Sequence, residues 1–173
     1  SYMTTMTAGT EHGGRFVYRS ADTDMLGWVC ERAAGTRMSD LISQLIWQPM
    51  GAEFDAEITC DGVGSAIHDG GMSARLRDMA RFGQLLLDDG VVDGVSVVPR
   101  SWLVAARTID PDIRSAFAAS DSEPFLTGGW YRNQCWVLPG PHGDVLLGLG
   151  IHGQLLRIDP ATRTFQALRI WVN

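Results

Sequence analysis

The chain has 173 residues, a formal net charge of −6 and a hydrophobic fraction of 45%, which fit one globular domain or a piece of a larger one. The acidic balance, with no basic stripe, argues against a nucleic-acid partner. The apolar runs are far shorter than the roughly 20 residues that cross a bilayer, so no membrane span is expected. All 14 residues counted as Lys or Arg are Arg. The chain therefore has no lysine that could act in catalysis, and Arg cannot replace it because a guanidinium keeps its proton in a protein.

The first two-thirds of the chain has mainly helical patterns. Ser20 is the expected N-cap of a helix that continues to about Ala34 and stops at Gly35. Further helices are predicted over residues 39–47, 73–88 and 99–107. In the second of these, Asp78 and the neighbouring arginines are expected on the solvated side. Residues 52–71 and 110–124 have the composition of loops.

The last third has strand patterns. Residues 91–98 predict a hairpin, because the Asp93-Gly94 pair favours a tight primed turn. Four strands are then predicted over residues 130–138, 145–149, 154–158 and 164–172, with turns at Pro139-Gly140 and Asp159-Pro160. Helices first and an antiparallel meander last indicate an α+β fold.

Cysteine and histidine spacing gives no sign of a metal site. Cys30, Cys60 and Cys135 are far apart and favour buried thiols in a reducing compartment such as the cytoplasm. One disulfide with one free thiol is the open alternative, and the compartment is otherwise unknown. No metal-ligand spacing occurs, so neither a metal nor a cofactor is predicted.

Three motifs occur in order along the chain. Tyr18-Arg19-Ser20 stands at the start of the first predicted helix, GGMSARLRDMARFG occupies residues 70–83, and GLGIHGQ occupies residues 148–154. Together they resemble the Tyr-x-Asn/Ser box, the following helix motif and the third-box strand of the serine β-lactamase and penicillin-binding-protein superfamily. Within it, the motifs are similar to those of class C β-lactamase-like esterases and 6-aminohexanoate-oligomer hydrolases.

This resemblance covers nearly the whole chain, from Gly13 to Thr164. It implies a β-lactamase-like fold, an antiparallel sheet flanked by helices, that is incomplete at both ends. About a hundred residues that carry the Ser-x-x-Lys nucleophile would precede Tyr18, and a helix would follow the last strand. Residues 1–173 are therefore interpreted as the C-terminal part of a serine hydrolase domain. The nucleophile segment is expected upstream or in a companion chain, and the chain alone is expected to be inactive.

In the superfamily, the serine attacks a carbonyl to give an acyl-enzyme that water cleaves. The resemblance makes Tyr18 the proton shuttle and the Ile151 backbone N–H one arm of the oxyanion hole. Phenols titrate at about pH 10, so the shuttle needs a nearby cation, a role that falls to the lysine of Ser-x-x-Lys. Ser20 is expected to contact substrate or to be a simple helix cap.

The third box normally begins with Lys or His, whereas this chain has Gly148-Leu149-Gly150 there. That departure disfavours penicillin-type substrates and favours a neutral ester or a small linear amide. A second register makes Ile151-His152-Gly153 the box and moves the oxyanion donor to Gln154. Further candidate substrate contacts are His152, Trp136 and His68, and each of them also has a packing interpretation.

Two other hypotheses stay open. The chain could belong to a non-catalytic member that uses its cleft to bind a ligand or a partner protein, or it could be a proteolytic remnant. The upstream sequence discriminates between the enzyme and the binding module. Ser-x-x-Lys about a hundred residues before Tyr18 supports the enzyme, and its replacement supports the binding module.

Overall fold

The structure, a computed structural model, describes residues 5–7, 9, 11 and 13–169. The helices are α1 (Ser20–Ala34), α2 (Met38–Ile42), which continues into a π-helical turn (Ser43–Trp47), α3 (Leu76–Leu87), α4 (Arg100–Arg107) and α5 (Pro111–Ala118). The strands are β1 (Glu57–Ile58), β2 (Met72–Ser73), β3 (Val91–Val92), β4 (Val95–Ser96), β5 (Trp130–Arg132), β6 (Cys135–Gly140), β7 (Gly143–Gly150), β8 (Gln154–Asp159) and β9 (Thr164–Arg169). In the described ranges, no helix has both the length and the apolar character needed to span a membrane.

The last five strands form one antiparallel sheet in the order β5-β6-β7-β8-β9, so the predicted antiparallel meander is confirmed. The turn predicted at Pro139-Gly140 is wrong, because both residues belong to β6 and pair with Asp144 and Gly143. Residues 170–172 of the last predicted strand lie outside the described residues.

The predicted strand over residues 130–138 is wrong in one respect, because it is a hairpin of β5 and β6. Its two turn residues, Asn133 and Gln134, have φ values of 52° and 61°. The predicted hairpin at residues 91–98 is confirmed, with φ of 48° at Asp93 and 81° at Gly94, the signs that a type I′ turn needs.

The main core lies between the sheet and the helices that follow α2. Its buried residues come from α3, α4, α5 and four strands: Leu87, Ala106, Phe117, Trp130, Val137, Leu146 and Ile158. The Trp130 indole N–H donates to the Ala106 carbonyl at 3.0 Å, which satisfies its polar atom inside the core. Gly83 lets α3 approach β9 closely, because an added Cβ would overlap the Phe165 ring.

Three sequence predictions about helices need correction. The first helix has the expected bounds and ends at Gly35 with φ 64°, but its N-cap is Arg19, not Ser20. The helix expected from residue 73 begins at Leu76, because Ser73 pairs in β2. Residues 111–118 form α5 instead of a loop. Asp110 caps α5 by accepting the Asp112 N–H, and the fixed φ of proline suits the first helical position.

Asp78 is fully buried, so the expected solvated position is wrong. Its Oδ1 accepts the Glu53 backbone N–H at 2.8 Å and an Arg81 N–H at 3.0 Å. These bonds hold the pKa of the Asp78 carboxyl below its ordinary value, chiefly through the Glu53 N–H. The Asp78 carboxylate therefore connects α3 by a hydrogen bond to Glu53, in the segment after the π-helical turn. This contact lies beside a second small core of Trp47, Met50 and Leu85.

The cysteine prediction is also wrong in part. Cys30 and Cys60 are exposed, and only Cys135 is partly buried. Burial raises the pKa of the Cys135 thiol. All three are free in the structure.

Candidate active site

Tyr18 lies two residues before α1, and its side chain is 46% exposed. Its ring centroid is 5.0 Å from that of Trp136 and 5.6 Å from that of Tyr131, the latter in an edge-to-face contact at 82°. Phe16 packs against the same two rings and lies 5.2 Å from Phe117 of the core. These five residues form an aromatic cluster that fixes one side of the Tyr18 ring and leaves the rest accessible.

The aromatic cluster is continuous with the main core. Phe117 is a buried residue of that core, and Phe16, Tyr131 and Trp136 pack against it as partly buried residues. The Trp136 ring centroid is 6.2 Å from that of Phe117, and Tyr131 and Trp136 are paired across β5 and β6. The segment before α1 therefore packs where β5, an edge strand of the sheet, meets α5.

A cavity of about 280 Å³ opens beside Tyr18. One wall is the segment of residues 14–18, and the other is the end of α5 and the turn after it. Ser120, Asp121 and Ser122 provide polar groups on the second wall, while Ala116 and Ala119 provide apolar surface. A cleft of this size, partly polar and next to a tyrosine, is near the lower end of small-molecule sites.

Ile151 follows the end of β7 and begins a short 3₁₀ turn (Ile151–Gly153). Trp136 pairs with Leu147, so Ile151 lies four residues further along, roughly 13 Å at 3.3 Å per residue. Because β6 and β7 are antiparallel, the start of β6 and the end of β7 meet at the same end of the sheet. The aromatic cluster and Ile151 are thus at one end of the sheet. The Ile151 side chain is 76% exposed.

The other predicted site residues have different surroundings. Ser20 is exposed at the first position of α1, and His152 is exposed with φ 58°. Trp136 is half-buried and contacts Tyr18. The His68 side chain is only 5% exposed and packs flat against Gly27 of α1.

His68 belongs to a contact between α1 and the loop of residues 59–71. Asp24 Oδ1 accepts the backbone N–H of His68 at 2.7 Å and that of Asp69 at 3.3 Å. The two imidazole nitrogens make no hydrogen bond within the described part of the chain, although Nδ1 lies 3.8 Å from Asp24 Oδ1. His68 therefore occupies a packing position between the loop and α1. The structure brings Trp136 to Tyr18 but does not bring His68 to an accessible surface, and the functional roles of all six candidates stay predictions.

Sequence reasoning missed the polar contact beside the aromatic cluster. The Thr23 hydroxyl donates to Gln134 Oε1 at 3.2 Å, and the Tyr131 hydroxyl donates to the same oxygen at 2.7 Å. Burial, with smaller contributions from Tyr18 and Cys135, raises the pKa of Tyr131 well above its ordinary value, so its hydroxyl stays protonated. No motif marks these residues, because they meet only when the β5–β6 turn packs on the first turn of α1.

Among the residues that the structure describes, no group of three or more His, Cys, Asp or Glu side chains is placed to hold a metal ion. The absence of a metal and of a cofactor therefore stays a prediction.

The fold and the matches to known proteins define the class of this chain. The Beta-lactamase family model matches residues 1–168, so the chain belongs to that family. A solved structure from Bacteroides dorei, assigned as a β-lactamase, superposes with a TM-score of 0.75 over 94% of this chain and 53% of its own length, at 18% identity. That likeness concerns the fold alone. The β-lactamase-like α+β fold, and the serine β-lactamase-like superfamily that the three motifs resemble, are thus confirmed.

Two similar proteins share one name. The 6-aminohexanoate-dimer hydrolase of Paenarthrobacter ureafaciens is 37% identical over 161 residues, which are 93% of this chain and 40% of that protein. A Bacillus anthracis structure assigned as a 6-aminohexanoate-dimer hydrolase superposes with a TM-score of 0.85 at 27% identity, over 95% of this chain and 40% of its own length. The chain thus spans about 40% of the length of either relative.

Proposed function

We propose that this chain is the C-terminal part of a serine hydrolase that cleaves a small linear amide or a neutral ester through an acyl-enzyme. The nucleophile and its lysine come from a Ser-x-x-Lys segment outside residues 1–173. The observation that carries the proposal is the position of Tyr18, half-exposed before α1 at the sheet end where β7 delivers Ile151. The 37% identity to a protein named as a dimer hydrolase supports the same reaction class.

In the proposed first step, Tyr18 begins as a phenolate that the lysine of the Ser-x-x-Lys segment stabilises. The serine oxygen attacks the carbonyl carbon, and the Tyr18 phenolate accepts the serine proton. The Ile151 N–H donates to the oxygen that becomes negative in the tetrahedral intermediate. Tyr18 then passes its proton to the leaving nitrogen or oxygen as the bond from that atom to the carbonyl carbon breaks. In the second step, water attacks the acyl-enzyme, the serine regains a proton and the carboxylic acid leaves.

The aromatic cluster supports this role because it holds the Tyr18 ring in place before substrate binds. Ring contacts at 5.0 Å and 5.6 Å restrict the side chain, so little rotational entropy is lost when the hydroxyl is aligned for proton transfer. The cavity of about 280 Å³ beside the ring suits a small substrate. Gly148-Leu149-Gly150 brings no cation to the third box, which favours linear amides and neutral esters over penicillins.

The test uses the complete gene product with the linear 6-aminohexanoate dimer and a short-chain nitrophenyl ester as substrates. We expect hydrolysis of at least one substrate, and labelling of a single serine outside residues 1–173 by a fluorophosphonate. Tyr18→Phe keeps the ring and removes only the proton carrier, so kcat should fall by about 10²- to 10⁴-fold with an unchanged melting temperature. Residues 1–173 expressed alone should form no acyl-enzyme.

Three results would contradict the proposal. One is a labelled serine within residues 1–173, since the nucleophile would then be in this chain. Another is a Tyr18→Phe variant with the kcat of the wild type. The third is a folded complete protein that hydrolyses neither substrate and carries no reactive serine, which is the behaviour of a binding module.

A further inference from the structure

Gln134 occupies a backbone conformation that glutamine seldom adopts. It is the second residue of the two-residue β5–β6 turn and has φ 61°, in the left-handed region where glycine is preferred. Asn133 before it also has a positive φ, of 52°. Residues in such sparsely populated backbone conformations cluster at active sites and ligand contacts.

The side chain of Gln134 is held by two hydroxyl groups from different elements. Thr23 in the first turn of α1 donates to its Oε1 at 3.2 Å, and Tyr131 on β5 donates to the same atom at 2.7 Å. With the amide oxygen fixed, the Nε2 group faces away from both donors. Within the described residues Nε2 makes no hydrogen bond, and the residue is exposed. Two oriented N–H donors are therefore presented to the surroundings.

The location of Gln134 connects it to the candidate active site. Tyr131, which donates to Gln134, is in edge contact with the Tyr18 ring. Trp136 pairs with Leu147, so the same register continued by two residues puts Gln134 level with Leu149, two residues before Ile151. The Gln134 amide is thus connected to Tyr18 through Tyr131, which donates a hydrogen bond to the amide and contacts the Tyr18 ring. An acceptor bound there would be several bonds away from the cleaved carbonyl.

We propose that Gln134 is a substrate-binding residue that selects linear substrates with an oxygen acceptor, a carboxylate or a carbonyl, at the end remote from the cleaved bond. Thr23 and Tyr131 are positioning residues that orient its amide. The inference rests on the proposed hydrolase function. It also accounts for the third box, where the chain supplies Gly148-Leu149-Gly150 and no cation. In the proposal, the neutral Gln134 amide replaces the missing cation and donates to the oxygen acceptor of the substrate.

The test compares three linear amides in the complete gene product: 6-acetamidohexanoate, 6-acetamidohexanamide and N-hexylacetamide. They share the cleaved acetamide and end in a carboxylate, a neutral carbonyl group and no acceptor. Gln134→Met keeps the length of the side chain and removes the donors. We expect it to raise KM about 10-fold for the first two amides, and less than 2-fold for N-hexylacetamide, with kcat nearly unchanged. Gln134→Glu should penalise the carboxylate more than the carboxamide, because it adds a like charge.

Positioning is tested by Thr23→Val and Tyr131→Phe. Each removes one hydroxyl that holds the amide oxygen, and each should raise KM by a smaller factor for the amides that carry an acceptor. The same three compounds are titrated by calorimetry against the wild type and Gln134→Met, so binding is measured even where turnover is absent. The melting temperature of each variant shows that the fold is kept.

The outcomes separate the two proposals. Equal KM and equal binding constants for wild type and Gln134→Met with all three compounds would overturn the role of Gln134. A fall in kcat shared by all three compounds would also overturn it, because that result indicates a structural role. Selective binding without hydrolysis would support Gln134 and refute the hydrolase proposal.

Discussion

Gly27, in the middle of α1, is the position where the structure makes the sharpest prediction about stability. It is the buried residue of that helix, and the His68 imidazole lies directly on it. A Cβ at position 27 would overlap two ring carbons and lie 2.5 Å from Nδ1, whereas non-bonded carbon atoms prefer about 3.5–4.0 Å. The ring cannot simply withdraw, since the backbone N–H of His68 is bound to Asp24.

The expected effect of Gly27→Ala is the difference between two terms. Alanine in a helix interior is favoured over glycine by about 1 kcal/mol. Forcing an extra carbon into a tightly packed contact costs about 1–3 kcal/mol, and an overlap with ring atoms places this site near the upper end. We therefore expect Gly27→Ala to lower the free energy of unfolding by about 1–2 kcal/mol.

The assay is urea denaturation of the complete gene product, arranged as a double-mutant cycle with His68→Ala. In the His68→Ala background the overlap is gone, and Gly27→Ala should then stabilise the protein by about 1 kcal/mol through helix propensity. A change of sign between the two backgrounds is thus the expected signature. If Gly27→Ala stabilises the protein by the same amount in both backgrounds, the packing of His68 on α1 is refuted.

Two further predictions concern buried residues outside α1. Phe117→Ala should cost about 3–5 kcal/mol in urea denaturation, while Phe117→Leu, which keeps most of the volume, should cost less than about 1.5 kcal/mol; equal losses would contradict its place in the core. Asp78 has a pKa below its ordinary 3.8, chiefly because of the Glu53 N–H. Its contribution is therefore fully present above that ordinary value and lost as the pH falls through the lowered pKa. Asp78→Asn should be less stable than wild type at pH 7, and the gap should narrow below about pH 4; a gap that does not change with pH would contradict the assigned bonds.

Much of the fold was predictable from local patterns. The Asp93-Gly94 turn, the stop of α1 at Gly35 and the succession of late strands depend on backbone preferences that act over a few residues. The exact caps were harder, because Arg19 precedes α1 without any side-chain hydrogen bond that the sequence could announce. In α5, the Asp110-Pro111 pair is a start signal for a helix, whereas the polar composition of residues 110–124 is typical of a loop.

The burial of Asp78 was not predictable in the same way. Helical spacing alone places a carboxylate among arginines on a solvated face, and nothing in that spacing reveals a backbone N–H arriving from Glu53, 25 residues earlier. Burial of a charge is favourable only when such donors converge on it. The strand prediction over residues 130–138 failed for a related reason. Asn133-Gln134 is an unusual pair for a type I′ turn, and glycine, the ordinary signal, is absent.

The candidate site shows the same division between local and long-range information. Tyr18 was identified because a motif preserves its sequence neighbours, whereas the residues that fix its ring, Tyr131 and Trp136, are more than a hundred positions away. Gln134 carries no motif and is positioned by one hydroxyl from α1 and one from β5. In the proposed hydrolase, Tyr18 is the proton carrier and is oriented by the start of α1, so its neighbours along the chain matter for that role. The groups proposed to select the substrate need only converge in space, so we expect relatives with different substrates to differ most at the turn between β5 and β6.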